Sequence, residues 1–305
     1  MIHDLIDKIG TMENPTVVGL DPTLELVPNY LKEKYFNELG KTPEAVRKIF
    51  LEFNKKIIDN IYDIVPCIKP QIAMYEKFGV QGLAAYIETI EYAKSKGMLI
   101  IGDIKRGDIS STASAYAAHI GGTEIEGVSM DLWKEDSITI NPYLGYDGIK
   151  PFIEACNKNK KSIFVLVKTS NPSSSEIQDL ISGNRKIYEH VGELVKAWGL
   201  ETELKNGYNQ VGAVVGATHH SQGVSLRKEL KETFFLVPGY GAQGATGKDL
   251  VGYFDKLGRG TIVNSSRGII SAYKKNTEYG EEAFGEVSRI AALKMKEDLQ
   301  LAMEG

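Results

Sequence analysis

The chain has 305 residues, 42% of them hydrophobic and 25% charged, which is enough to bury a large apolar core and too balanced for a disordered or fibrous protein. Its 36 Lys and Arg stand against 40 Asp and Glu, a formal net charge of −4, and the basic residues form no stripe. That weighs against nucleic acid or an anionic membrane surface as the main partner, since both demand concentrated positive charge, but leaves room for a small anion held by a few placed cations.

The N-terminus, MIHDLIDKIG, mixes acids with its apolar residues and lacks the apolar region of a secretory signal. No apolar run approaches the roughly 20 residues needed to cross a bilayer, so the expected location is the cytoplasm. Cys67 and Cys156 lie far apart without a metal-ligand pattern, as expected of two reduced thiols in or near the core.

Short runs rich in Val and Ile then recur along the chain. The spacing predicts strands over Thr16–Leu20, Ile64–Lys69, Met98–Ile104, Ser137–Ile140, Ile163–Val167, Val211–Gly216, Phe234–Val237 and Thr261–Asn264. Helical patterns fall over Pro43–Ile61, Gln81–Lys96, Gly148–Asn157, Lys186–Leu200, Lys248–Leu257 and Glu281–Met303. Eight near-continuous apolar strands alternating with helices point to an α/β fold, a (β/α)8 TIM barrel formed as one domain over residues 1–305. Two stretches exceed a minimal barrel, Pro22–Thr42 and Asn171–Arg185, and the second reads as a lid or as an ordinary surface loop.

Barrel chemistry is built at the strand C-termini, and polar residues gather there. The third strand ends in DIKRGD. Alternation puts Asp103 and Lys105 on one face, able to point together into the barrel mouth, and Asp108 follows in the loop. Unpaired buried charge is costly, so this run is either a salt-bridged strand end or a site. Lys69 ends the second strand and Asp21 the first, beside it. The loops after the seventh and eighth strands, VPGYGAQGATG and NSSRG, combine glycines with Arg267, as phosphate sites of such barrels do. Gly239 to Gly244 also spell G-x-G-x-x-G, but no carboxylate ends the next strand and too little chain follows for a dinucleotide domain. His219 and His220 are adjacent and point different ways, so they read as loop histidines and no metal is assigned.

Six segments, GLDP, IKPQ, DIKRGDISST, VKTSNPSS, VPGYGAQG and NSSRGI, occur in an order and spacing that resembles the orotidine 5'-phosphate decarboxylase family, in its longer bacterial form, over nearly the whole chain. The resemblance implies decarboxylation of orotidine 5'-monophosphate to uridine 5'-monophosphate without a cofactor, in a homodimer with shared active sites. It further implies that Asp21 and Lys69 contact the ribose, Asp103 lies near the departing carboxylate and Lys105 donates the proton. Asp108 and Thr112 would reach the partner's site. Ser170, with Thr169 as a near alternative, would contact the pyrimidine, and Gln243 and Arg267 would hold the phosphate. A metal-dependent sugar-phosphate lyase and a silent nucleotide-binding barrel are the competing readings.

Overall fold

The computed structural model describes residues 1–241 and 244–304. Eight parallel strands close into a barrel: β1 Thr16–Leu20, β2 Cys67–Pro70, β3 Leu99–Arg106, β4 Ser137–Ile140, β5 Ser162–Lys168, β6 Val211–Val215, β7 Phe235–Pro238 and β8 Thr261–Ser265. Each pairs with its sequence neighbours, and β1 pairs with β8 to close the ring. The β/α barrel expectation is met.

Side chains divide by strand alternation into two apolar layers. Val17, Cys67, Ile101, Phe164, Val214, Leu236 and Ile262 fill the barrel itself. Val18, Ile68, Ile100, Val165, Val215 and Val263 face outward and are covered by the helices. Coverage on both faces explains why the runs lacked polar alternation. Ile2–Met12 forms a helix whose Ile2, Leu5 and Ile6 join the inner layer, plugging the end of the barrel opposite the strand C-termini.

Helices form where their caps and apolar spacing agree. In Pro43–Ile61, Thr42 accepts from the Ala45 N–H at 3.2 Å, Pro43 sits where its missing N–H costs nothing, and Val46, Ile49, Phe50, Phe53 and Ile57 are buried. Among the described residues, four helices of ten residues or more escaped the periodicity: Ile2–Met12, Asn29–Leu39, Ser110–Gly121 and His220–Glu229.

The second strand begins at Cys67 rather than Ile64, because Ile64 and Val65 both donate to the Ile61 carbonyl and finish the preceding helix. Over Lys248–Leu257 the expected helix is instead a tight 3-10 segment, Gly247–Tyr253. Two glycines permit it: a Cβ on Gly247 would meet the Asp298 carbonyl at 2.5 Å, and one on Gly252 would meet Val224 at 2.5 Å. Asp255 then ends it by accepting from the N–H groups of Leu257 and Arg259. Both cysteines are buried free thiols. No helix among the described residues is long and apolar enough to cross a membrane.

Candidate active site

A cavity of about 480 Å³ opens at the C-terminal mouth of the barrel, lined by Lys69, Asp103, Lys105, Thr139, Leu166, Thr169, Ser170, Asn171, Gln178, Val214, Leu236 and Pro238. A larger cleft of about 660 Å³ lies at the opposite end, between the N-terminal helix and the Lys256–Thr261 loop. Charge decides between them. The strand C-termini converge on the first, and Lys69, Asp103 and Lys105 sit at its floor.

Asp103 is the hub. Lys69 Nζ lies 2.6 Å from Oδ2, the Thr139 hydroxyl donates to Oδ1 across 2.9 Å, and Lys105 also donates to Oδ1. Burial opposes ionisation of Asp103, yet the ammonium groups of Lys69 and Lys105 hold its carboxyl well below the usual range. Burial likewise opposes charge on Lys69, but Asp103 and then Asp21 keep its pKa above that of an ordinary lysine. Asp103 and Lys69 thus each favour the other's charged form.

Simple alternation does not describe how Lys105 arrives. The register between β3 and β4 slips between Gly102 and Arg106, and Lys105 adopts φ of 47°, left-handed backbone that a non-glycine residue rarely takes. Its N–H donates to Thr139 Oγ1 at 3.0 Å, which holds this turn. A strained backbone at a charged strand end is a mark of functional sites. Thr139 therefore supports both the acid and the lysine. It was not singled out from sequence, although its place at the inward end of SITI was the available signal.

Asp21 ends β1 beside Lys69, with which Gly19 is in register. Its Oδ1 is enclosed with no hydrogen-bond partner among the described residues. Burial raises its carboxyl pKa, and the Lys69 ammonium offsets this only in part.

Ser170 and Thr169 differ in what they have free. The Thr169 hydroxyl is committed, donating to Asn171 Oδ1 at 2.6 Å and accepting from Gln178 Nε2 at 2.7 Å. Among the described residues Ser170 bonds only through its carbonyl, which accepts from the Thr218 hydroxyl at 3.1 Å. Gln178 and Asn171 line the same cavity and were missed, because the loop that delivers them has no periodicity.

Asp108, Thr112 and Arg267 are not among the residues that line this cavity. Asp108 follows β3 and accepts from its neighbour's N–H, Ile109, at 2.7 Å, with no hydrogen bond or ion pair to Lys69, Asp103 or Lys105 of its own chain. Thr112 is exposed in the first turn of Ser110–Gly121. Arg267 is exposed at the start of the short helix after β8. Gln243 lies outside the described residues. Around Asp108 the surface carries exposed Ile109, Tyr143 and Leu144, Leu144 and the Asp108 carbonyl both lying against Gly148. Among the described residues no group of His, Cys, Asp and Glu is arranged to hold a metal. His219 instead meets Ser174 Oγ at 3.2 Å, and His220 binds the Asp249 carbonyl.

The orotidine 5'-phosphate decarboxylase / HUMPS family model matches residues 16–281. The chain belongs to that family. It is 45% identical over 303 residues to the orotidine 5'-phosphate decarboxylase of Petrotoga mobilis, covering 98% of each chain. It is 44% identical to that of Clostridium tetani, covering 99% of each. Among solved structures, the OMP decarboxylase of Leishmania donovani superposes with a TM-score of 0.75 at 29% identity, over 100% of this chain and 99% of that one. The family's barrel, open at the strand C-termini, is the fold described above.

Proposed function

We propose that the chain decarboxylates orotidine 5'-monophosphate to uridine 5'-monophosphate, the last step of de novo UMP synthesis. The observation that carries this reading is the alternating array Lys69, Asp103, Lys105 lining the cavity, both lysines donating to Asp103 and Thr139 holding it. Breaking the bond from C6 to the carboxyl carbon leaves an electron pair on C6, and with no electron sink in the reading that charge must be met by fixed groups. Lys105 is the ammonium at hand. It transfers a proton to C6 as CO2 leaves, and its 44% exposure gives it water from which to recover the proton.

Asp103 has two tasks on this reading. It aims Lys105, and it faces the substrate carboxylate, so that repulsion is relieved as CO2 departs. Lys69 and Asp21 take the ribose hydroxyls, an assignment supported by the enclosed, unpartnered oxygen of Asp21. Ser170, whose hydroxyl has no protein partner among the described residues, takes the pyrimidine in preference to Thr169. Arg267 and Gln243 take the phosphate, and binding energy from that remote group organises the reacting centre.

Asp108 and Thr112 act in a second subunit. Their separation from Asp103 within one chain and the exposed apolar residues beside them support a homodimer with shared sites. Purified protein mixed with orotidine 5'-monophosphate and EDTA should convert it, followed by the ultraviolet change. Absence of conversion overturns the reading, and conversion that stops only with the chelator favours a metal-dependent lyase.

A further inference from the structure

Lys168 ends β5 with its side chain closed to solvent. The register with β6 slips there, from Val214 opposite Leu166 to Val215 opposite Lys168, so Leu166 faces the cavity while the lysine passes behind its wall. Its ammonium donates to Asp179 Oδ2 at 2.9 Å and to Ser174 Oγ at 3.2 Å. Asp179 also receives Lys186 at 3.3 Å and Gln222 at 2.9 Å on its other oxygen. The segment between Lys168 and Asp179, two short helical turns in a connection, is therefore tied at its ends by an ion pair whose lysine is fully buried and whose carboxylate is 22% exposed.

That loop supplies the wall of the cavity. Thr169 donates its N–H to Gln178 Oε1 at 3.0 Å and accepts from Gln178 Nε2 at 2.7 Å, stitching the loop across its base. From the β6 side, Gly216 comes so close that a Cβ there would lie 2.8 Å from the Ser170 backbone. Replacing a buried ion pair as a whole by apolar side chains is often neutral or stabilising, so stability alone gives little reason for a charge pair here. A charge with fixed partners does select one arrangement among several.

We propose that Lys168 is a positioning residue of the decarboxylation: through Ser174 and Asp179 it fixes the 169–178 loop so that Ser170, Asn171 and Gln178 meet the pyrimidine ring. It governs recognition of the base and leaves the phosphate grip alone. This rests on the decarboxylase reading above. Arg267, assigned to the phosphate, follows β8, whereas the 169–178 segment is bonded to Thr218 and His219 after β6.

The test uses Lys168→Met, Asp179→Asn and the double variant Lys168→Met/Asp179→Leu in the full chain. Thermal stability, steady-state decarboxylation, and the affinities for uridine 5'-monophosphate and for ribose 5-phosphate, which lacks the base, are measured for each. In the single variants kcat/KM should fall on the order of 10²-fold, the scale of a misplaced positioning group. Affinity for uridine 5'-monophosphate should weaken about tenfold, as when one or two hydrogen bonds to the base are lost, with ribose 5-phosphate unchanged. The double variant removes both charges, so its stability should return while kcat/KM stays low. Parallel loss of both affinities, kcat/KM restored together with stability, or kcat/KM near the wild-type value would each overturn the proposal. Wild-type protein inactive on orotidine 5'-monophosphate would overturn the functional reading, and this inference with it.

Discussion

Lys69 donates to Asp103 across 2.6 Å with the two side chains only 5% and 9% exposed, whereas Lys105, on the other oxygen of the same carboxylate, is 44% exposed. One acid thus serves two lysines in different media, and mutation should separate them. Lys69→Met takes a buried partner from a buried carboxylate and should cost about 3–5 kcal/mol of stability. Lys105→Ala removes a half-exposed partner, a change of about 0–1 kcal/mol, yet should lower turnover by about 10³-fold or more. Denaturant unfolding and single-turnover decarboxylation check this. Equal stability losses would contradict the difference in burial, and near-normal turnover would remove Lys105 from the mechanism.

Asp21 carries the opposite stability sign. Burial raises its carboxyl pKa, with the Lys69 ammonium pulling back only in part. A group whose folded pKa is raised contributes stability that is present below the unfolded value, 3.8, and lost as pH rises through the folded value. At neutral pH the ionised Asp21, with an enclosed and unpartnered oxygen, therefore weakens the fold, on the scale of about 1–3 kcal/mol for such a group. Asp21→Asn should melt higher than wild type at pH 7, lose that advantage toward pH 3, and decarboxylate more slowly because the ribose loses an acceptor. Melting curves across that range decide it, and a variant that melts lower at pH 7 refutes the account.

The barrel was legible because its strands are apolar on both faces, a pattern local to each run. Asp103, Lys105, Lys69 and Asp21 were legible as charges at strand ends, where a core has no use for them. What escaped depended on contacts distant in sequence. Thr139 matters because Asp103 lies opposite it across a strand pair, and the turn of Lys105 exists because Thr139 catches its N–H. The 3-10 segment after β7 follows from close approach of Gly247 to Asp298, some fifty residues away, which no window of local periodicity contains. Asn171 and Gln178 lie on a segment whose ends Lys168 and Asp179 join across eleven residues, a pairing no local pattern contains.

Arg267 stands exposed at the mouth after β8. Truncation to Ala should leave the fold unchanged within about 0.5 kcal/mol, as at other surface positions. Affinity for uridine 5'-monophosphate should fall by about 2–4 kcal/mol, the scale of a broken charge pair in a bound complex, and affinity for uridine, which lacks the phosphate, should not change. Calorimetry with the two ligands separates these outcomes. Unchanged affinity for the nucleotide would show that the phosphate binds elsewhere.

Asp108 follows β3 close to Asp103 in sequence but with no hydrogen bond to it, its carboxylate accepting from the Ile109 N–H. If it completes the partner's site, Lys105→Ala and Asp108→Ala chains carry complementary defects. A hybrid dimer then has one site with both lesions and one with neither. Each variant alone should be nearly inactive, while an equimolar mixture, unfolded and refolded together, should regain about a quarter of wild-type activity for random two-fold pairing. Activity that remains at the level of the separate variants, with hybrid dimers present by mass spectrometry, would place Asp108 in its own chain's site or in none.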